Sequence, residues 1–205
     1  MFQPPATGGK LEELLRTRPA MHTDFHGGYV SWAMADDALR CLDRLAGPEV
    51  VSLETGSGMS TIVLALRGGL HTAIAPWDAD LEAVRHYCAE HAISLARTQL
   101  LCGRSEVVLP ATAPTALDLV VIDGRHGFPS PIIDWFYTAE RLAVGGHLLV
   151  DDVQIRSCGL LCSFLDSDPH WERVQSLSRS AVYRKVAPDI WGGEWNDQPW
   201  QLEPV

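Results

Sequence analysis

Apolar positions along this chain follow two periods. From residue 49 onward, short and nearly continuous apolar runs fall at 49–54, 71–75, 98–102, 118–123 and 147–151. Runs of this length and density predict strands buried on both faces, as in a parallel sheet. Between them, helical spacing covers 60–67, 79–91, 105–109 and 130–142. In the last of these, Ile132, Trp135, Phe136, Ala139 and Leu142 share one stripe. Ahead of the first strand, Ala35, Ala38, Leu39, Leu42 and Leu45 predict a helix over 31–46, stopped by Gly47-Pro48. A shorter helix is predicted over 10–16. After Asp152 the pattern gives a helix over 157–165 and strands at 171–175 and 181–186, with Ser178-Arg179-Ser180 short enough for a hairpin. Alternating strands and helices with brief Gly/Pro connections predict a doubly wound, mostly parallel α/β sheet with an antiparallel C-terminal edge.

The expected organisation is one domain in three parts. Residues 1–48 form an N-terminal helical segment packed on the domain, 49–186 a Rossmann-like unit, and 187–205 a tail rich in Trp and Pro. Trp191, Trp195 and Trp200 in that tail point to docking on the body or on a second copy, hence a homodimer. The formal charge of −10 disfavours nucleic acid and anionic membranes, which are bound by basic surfaces, and leaves a small molecule as partner. No run of spanning length or secretory pattern is present, and five scattered cysteines read as reduced thiols in a cytoplasmic protein.

Chemistry concentrates first at 50–66, where an apolar strand ends on Glu54 and passes through Gly56 and Gly58 into a helical pattern. Such a turn brings backbone N–H groups and a positive helix end to one point. A dinucleotide site would place Gly or Ala at position 61, where Thr61 stands, and no Lys-Ser/Thr pair follows at phosphate-loop spacing. By contrast, Glu54-x-Gly56-x-Gly58-x-Ser60-Thr61 resembles the first motif of class I S-adenosylmethionine (SAM)-dependent methyltransferases. The resemblance implies that the glycines admit the cofactor and that Glu54, Ser60 and Thr61 hold its amino-acid end. Gly103-Arg104-Ser105 is similar to the adenine-side segment of catechol-type O-methyltransferases, which implies a cofactor contact for Ser105. Residues 117–124 and 145–152 are similar to that family's fourth and fifth strands. One departure stands out: the family's ribose-binding acid falls on Ala75, leaving Trp77 and Asp78 as substitutes.

Asp123, Asp151 and Asp152 end two strands expected side by side. Carboxylates so crowded repel, and a divalent cation such as Mg²⁺ or Mn²⁺ relieves them. The resemblance places metal-binding acids at these three positions and a general base at His126, whose imidazole suits proton removal near neutrality. Asp123 also falls among the implied cofactor contacts. The expected function is thus a metal-assisted O-methyltransferase acting on a small hydroxylated molecule. Ala75 and the tail keep a second class in view, a binding or interaction protein on the same fold without transfer activity.

Overall fold

The computed structural model describes residues 9–23, 26, 28–112, 115–188 and 194–202. Two short strands, β1 (His22–Thr23) and β2 (Tyr29–Val30), pair antiparallel near the N-terminus. Seven more form the main sheet: β3 (Val51–Thr55), β4 (Leu70–Ala75), β5 (Thr98–Cys102), β6 (Leu117–Ile122), β7 (Leu142–Val150), β8 (Trp171–Ser176) and β9 (Ala181–Lys185). Their order is β5-β4-β3-β6-β7-β9-β8. Strands β3 to β7 run parallel, while β9 pairs antiparallel with β7 and with β8. This is the doubly wound sheet with an antiparallel edge that the pattern predicts. From β3 the chain steps outward to β4 and β5, then returns to the other side of β3 as β6. At such a switch point the connections diverge, and a crevice opens at the strands' carboxyl ends.

The side-chain alternation of a strand explains why the runs are apolar throughout. Leu119 and Val121 of β6 face one layer, and Val120 and Ile122 face the other. The first layer holds α1 (Gly9–Thr17), α2 (Asp36–Leu45), α3 (Met59–Leu66) and α4 (Asp78–Glu90), with Leu14, Leu39, Leu42, Ile62 and Val84 buried together. In the second, α6 (Ser130–Ala139) and α7 (Arg156–Ser167) bury Trp135, Leu161 and Leu165. Between β5 and β6 there is only the single turn α5 (Ser105–Val108) and a 3₁₀ turn, Leu109–Ala111. That thin cover leaves a cavity of about 960 Å³ over the first residues of β3 to β5, and none of the residues predicted for chemistry lines it.

Two helices are shorter than their stripes suggest. The first starts at Asp36 rather than 31, because Arg18 takes the carbonyls of Ala33 and Met34 that would otherwise serve the first turn. The helix predicted over 130–142 ends at Ala139, and Leu142 opens β7. Arg141 O already accepts from Leu117 N–H at 2.9 Å, so the backbone has joined the sheet. Buried Lys185 donates to Ala139 O and Leu142 O at 2.9 and 2.8 Å, satisfying carbonyls at that helix end. In the tail, α8 (Pro199–Leu202) carries Trp200, whose indole donates to Ser163 Oγ at 3.1 Å and meets the Phe164 ring edge-on. Trp191 lies outside the described residues, and Trp195 is 66% exposed. Among the described residues no helix is long and apolar enough to cross a membrane.

Candidate active site

The glycine turn is held from behind. Gly58 N–H donates to Thr61 Oγ1 at 3.0 Å, and the Thr61 hydroxyl donates to Glu54 Oε1. The same oxygen meets His71 Nε2 at 3.0 Å, and His71 Nδ1 meets Ser52 Oγ at 2.9 Å. Glu54, Thr61, His71 and Ser52 are all buried. Glu54 and Thr61 therefore stand behind the turn and fix its path, a placement their spacing did not reveal. His71 was missed from the sequence; the available signal was a histidine inside an otherwise buried strand beside the acid. Gly56 is obligatory twice over. Its φ is +97°, and a Cβ there would lie 2.3 Å from Asp123 O. Glu54 Oε2, Thr55 Oγ1 and Ser57 Oγ are buried and complete no hydrogen bond within the protein.

The β1–β2 ribbon lies over this turn. His22 Nε2 meets Ser57 O at 2.8 Å, and its ring stacks on Trp32 with centroids 5.8 Å apart. Thr23 donates twice to Asp80 Oδ1, at 3.1 and 3.0 Å. Asp80 is thereby engaged as an anchor. Asp78 is exposed, 3.9 Å from Arg85, and opens α4 rather than capping it, since Trp77 occupies the cap position. Trp77 is 61% exposed and Ala75 is buried, so the end of β4 presents a ring rather than a carboxylate. Ser60 is buried in the first turn of α3, and Ser105 is buried against a narrow slot shared with Gly56 and Gly124.

Beyond the turn the strand ends assemble the acids. Asp123 N–H donates to Thr55 O, and Asp151 N–H to Ile122 O, each at 3.0 Å, continuing the parallel pairing past the strands. Asp123, His126 and Asp152 each offer a ligand atom within 4.8 Å of the others. His126 Nε2 lies 3.2 Å from Asp152 Oδ2 and 3.9 Å from Asp123 Oδ1. Asp151, predicted as a third acid of the metal set, is outside that group. It is buried, and its Oδ1 accepts the Ser180 hydroxyl from the β8–β9 hairpin. Burial, with Asp151, Glu54 and Asp152 nearby, pushes the Asp123 carboxyl well above its ordinary range. Burial also raises Asp151. Arg179 Nη1, 3.7 Å from Asp152 Oδ1, is a cation the sequence reading had not placed here.

The imidazole of His126 is held by α7. Cys158 Sγ is 3.6 Å from Nδ1, and the Ser157 hydroxyl donates to the His126 carbonyl. Burial pushes the Cys158 thiol up to about 12, so it stays protonated beside the ring. Nδ1 thus faces α7, and Nε2 faces the acids. All five cysteines are free, with only Cys102 exposed.

The chain is similar to known proteins. Residues 53–153 match the family described as a methyltransferase domain. A protein of Mycobacterium tuberculosis named as a probable O-methyltransferase is 36% identical over 136 residues, covering 62% of this chain and 57% of its own length. The chain thus spans little more than half of that curated relative. Among solved structures, the O-methyltransferase TomG of Streptomyces achromogenes, involved in tomaymycin synthesis and solved with SAM, superposes with a TM-score of 0.69 at 17% identity, covering 85% of this chain and 90% of that one. An O-methyltransferase of Bacillus cereus in complex with SAH gives 0.64 at 14% identity, over 89% and 93% of the two chains. The strand order and the glycine turn agree with the matched segment: residues 53–153 carry a methyltransferase domain on a Rossmann-like fold.

Proposed function

We propose that this protein transfers a methyl group from SAM to the hydroxyl of a small molecule, assisted by a divalent cation. The observation that carries the reading is the convergence of Asp123, His126 and Asp152 next to the glycine turn. The residues present fit both absent groups. The unpartnered oxygens of Glu54 and Ser57 suit the polar amino-acid end of the cofactor, and crowded carboxylates suit a hard cation. Gly56 and Gly58 admit close approach of a ligand to the backbone, Glu54 and Thr61 keep that path open, and Ser60 lies at the helix start. Ser105 lines the slot for the nucleoside, and Trp77 and Asp78, which follow β4, would serve in place of the acid that Ala75 lacks.

Asp123 and Asp152 would hold the cation, with Asp151 adding negative charge from behind. Bound there, the ion supplies Lewis acidity that makes a substrate hydroxyl easier to deprotonate. His126 has one nitrogen facing the acids, so serving as base and serving as ligand are exclusive uses of it. We assign it to proton removal, because two carboxylates already offer the oxygen donors that Mg²⁺ prefers. Alignment of hydroxyl and methyl by the fixed strand ends would supply much of the acceleration.

Calorimetry with S-adenosylhomocysteine, with and without Mn²⁺, tests the reading; no binding at millimolar ligand would overturn it. The formal charge supports a small-molecule partner over nucleic acid or a membrane surface, and five free thiols support a reducing, cytoplasmic setting. The exposed Trp195 and Leu202 support a homodimer contact, checked by light scattering. Ala75 favours one second reading, a binding protein without transfer. It predicts that Asp123→Asn leaves the cellular role intact.

A further inference from the structure

The cavity of about 960 Å³ lies over the first residues of β3 to β5, at the edge of the sheet opposite the glycine turn. Its floor is the sheet face that α5 and the 3₁₀ turn leave uncovered. Val51 and Leu53 of β3, Leu70 of β4 and Leu101 of β5 line it, with Val107 of α5. Leu70 and Val107 are 47% and 65% exposed, so this face is both apolar and open to solvent.

The charge of the lining is unlike that of the chain. The chain carries a formal −10, yet no Asp or Glu lines this groove, while Arg97 and Arg141 do. Arg97 immediately precedes β5, and the Arg141 carbonyl pairs with Leu117 at the start of β6. Three strand spacings of about 4.8 Å separate β5 from β6, so the two cations flank the floor from opposite sides. Arg141 is half-buried, and its Nε donates to Thr115 O at 3.4 Å and its Nη1 to Thr112 Oγ1 at 3.1 Å. Those two bonds hold one edge of the guanidinium. Among the described residues Nη2 has no partner, and neither arginine pairs with a carboxylate. Acids on the bordering elements are engaged elsewhere: Glu106 with Arg104, and Asp118 with the Val51 N–H at 2.9 Å. Burial pulls Arg141 below its ordinary value, and no carboxylate offsets that cost.

We propose that this groove binds an amphipathic carboxylate, its apolar body on the uncovered sheet face and its head on the open edge of Arg141. A guanidinium held along one edge presents the other as a fork that matches a carboxylate. The apolar body takes Leu70 and Val107 out of water, and Arg97 adds attraction at the far rim. This site lies at the amino edge of the strands and the methyl-transfer site at their carboxyl edge. The inference therefore stands apart from the cofactor reading.

The test is calorimetry with octanoate and its uncharged counterpart octanol on the wild-type chain, Arg141→Met and Val107→Glu. Wild type should bind octanoate with a Kd well below about 1 mM, and about tenfold tighter than octanol, the worth of a charge-assisted hydrogen bond. Arg141→Met keeps an apolar stem and should erase that preference. Val107→Glu places a repelling carboxylate at an exposed position and should weaken octanoate about tenfold, which keeps the inference testable if Arg141→Met does not fold. Saturating S-adenosylhomocysteine should leave octanoate binding unchanged. Equal affinity for the two ligands, no octanoate binding at millimolar concentration, or a preference retained in folded Arg141→Met overturns the inference. So does displacement of octanoate by S-adenosylhomocysteine, which would place the carboxylate at the transfer site. A dimer that Val107→Glu splits, with octanoate unbound, assigns the face to a second copy and overturns it as well.

Discussion

Two regions meet at the carboxyl edge of the sheet, and they are built on opposite terms. Around the glycine turn a chain of hydrogen bonds fixes the backbone: Gly58 on Thr61, Thr61 on Glu54, Glu54 on His71, His71 on Ser52. A few ångströms away, the ends of β6 and β7 gather Asp123, Asp151 and Asp152 with Arg179 and His126 as incomplete compensation. The first region is stable by itself and shaped to receive a ligand. The second holds unfavourable charge that only a further positive group relieves. A preorganised turn and an electrostatically strained cluster can share one sheet because the parallel ladder fixes both backbones independently of their side chains.

Changing the cluster should separate the two most sharply. Asp123→Asn is expected to lower methyl transfer by about two orders of magnitude, roughly 3 kcal/mol of transition-state stabilisation. Because it removes a repelling charge, its melting temperature should hold or rise without metal. A scanning-calorimetry fall with activity retained would break the contrast. The buried acids also set a pH dependence. Asp134 has a carboxyl raised from the ordinary value to about 6, so the folded chain binds more protons than the unfolded chain between about pH 4 and 6. Stability should therefore be greatest below that window and fall as pH rises through it, by about 2–3 kcal/mol from this group. Denaturant titrations across the range should show a shallower slope in Asp134→Asn, with Asp123 and Asp151, also raised, keeping the remainder.

Breaking the turn should act on stability instead. His71→Ala leaves Glu54 without its imidazole partner in a fully buried place, and a cost of about 2 kcal/mol is expected. In a chain of this size that lowers the melting temperature by about 4–8 °C. The smallest effect belongs to Trp77→Ala. With the ring 61% exposed, stability should change by less than about 0.5 kcal/mol, and only affinity for S-adenosylhomocysteine should fall, by a few fold in a titration.

Much of this was legible before any coordinates. The short, nearly continuous apolar runs gave five parallel strands, because burial on both faces leaves an apolar record along Leu119–Ile122 of β6 and Leu148–Val150 of β7. Gly56 was legible because backbone passing this close to Asp123 O tolerates no Cβ. The ends of helices were less so. The stripe through Leu142 continues past Ala139, but the competing hydrogen bond from Leu117 claims that backbone for the sheet. Asp151 and Asp152 are adjacent in sequence and opposite in fate. One faces the Ser180 hydroxyl and the other faces His126, and successive side chains leaving a strand diverge in a way that composition does not record.

The amino-acid sequence by itself determined the sheet, its order of elements and the glycine turn. Those depend on local periodicity and on one close backbone approach. Only the tertiary structure decided which polar groups face one another: His71 behind Glu54, His22 over Ser57, Cys158 beside His126. These partners come from elements far apart in the chain. Their meeting follows from strand register and helix packing, which no single segment encodes.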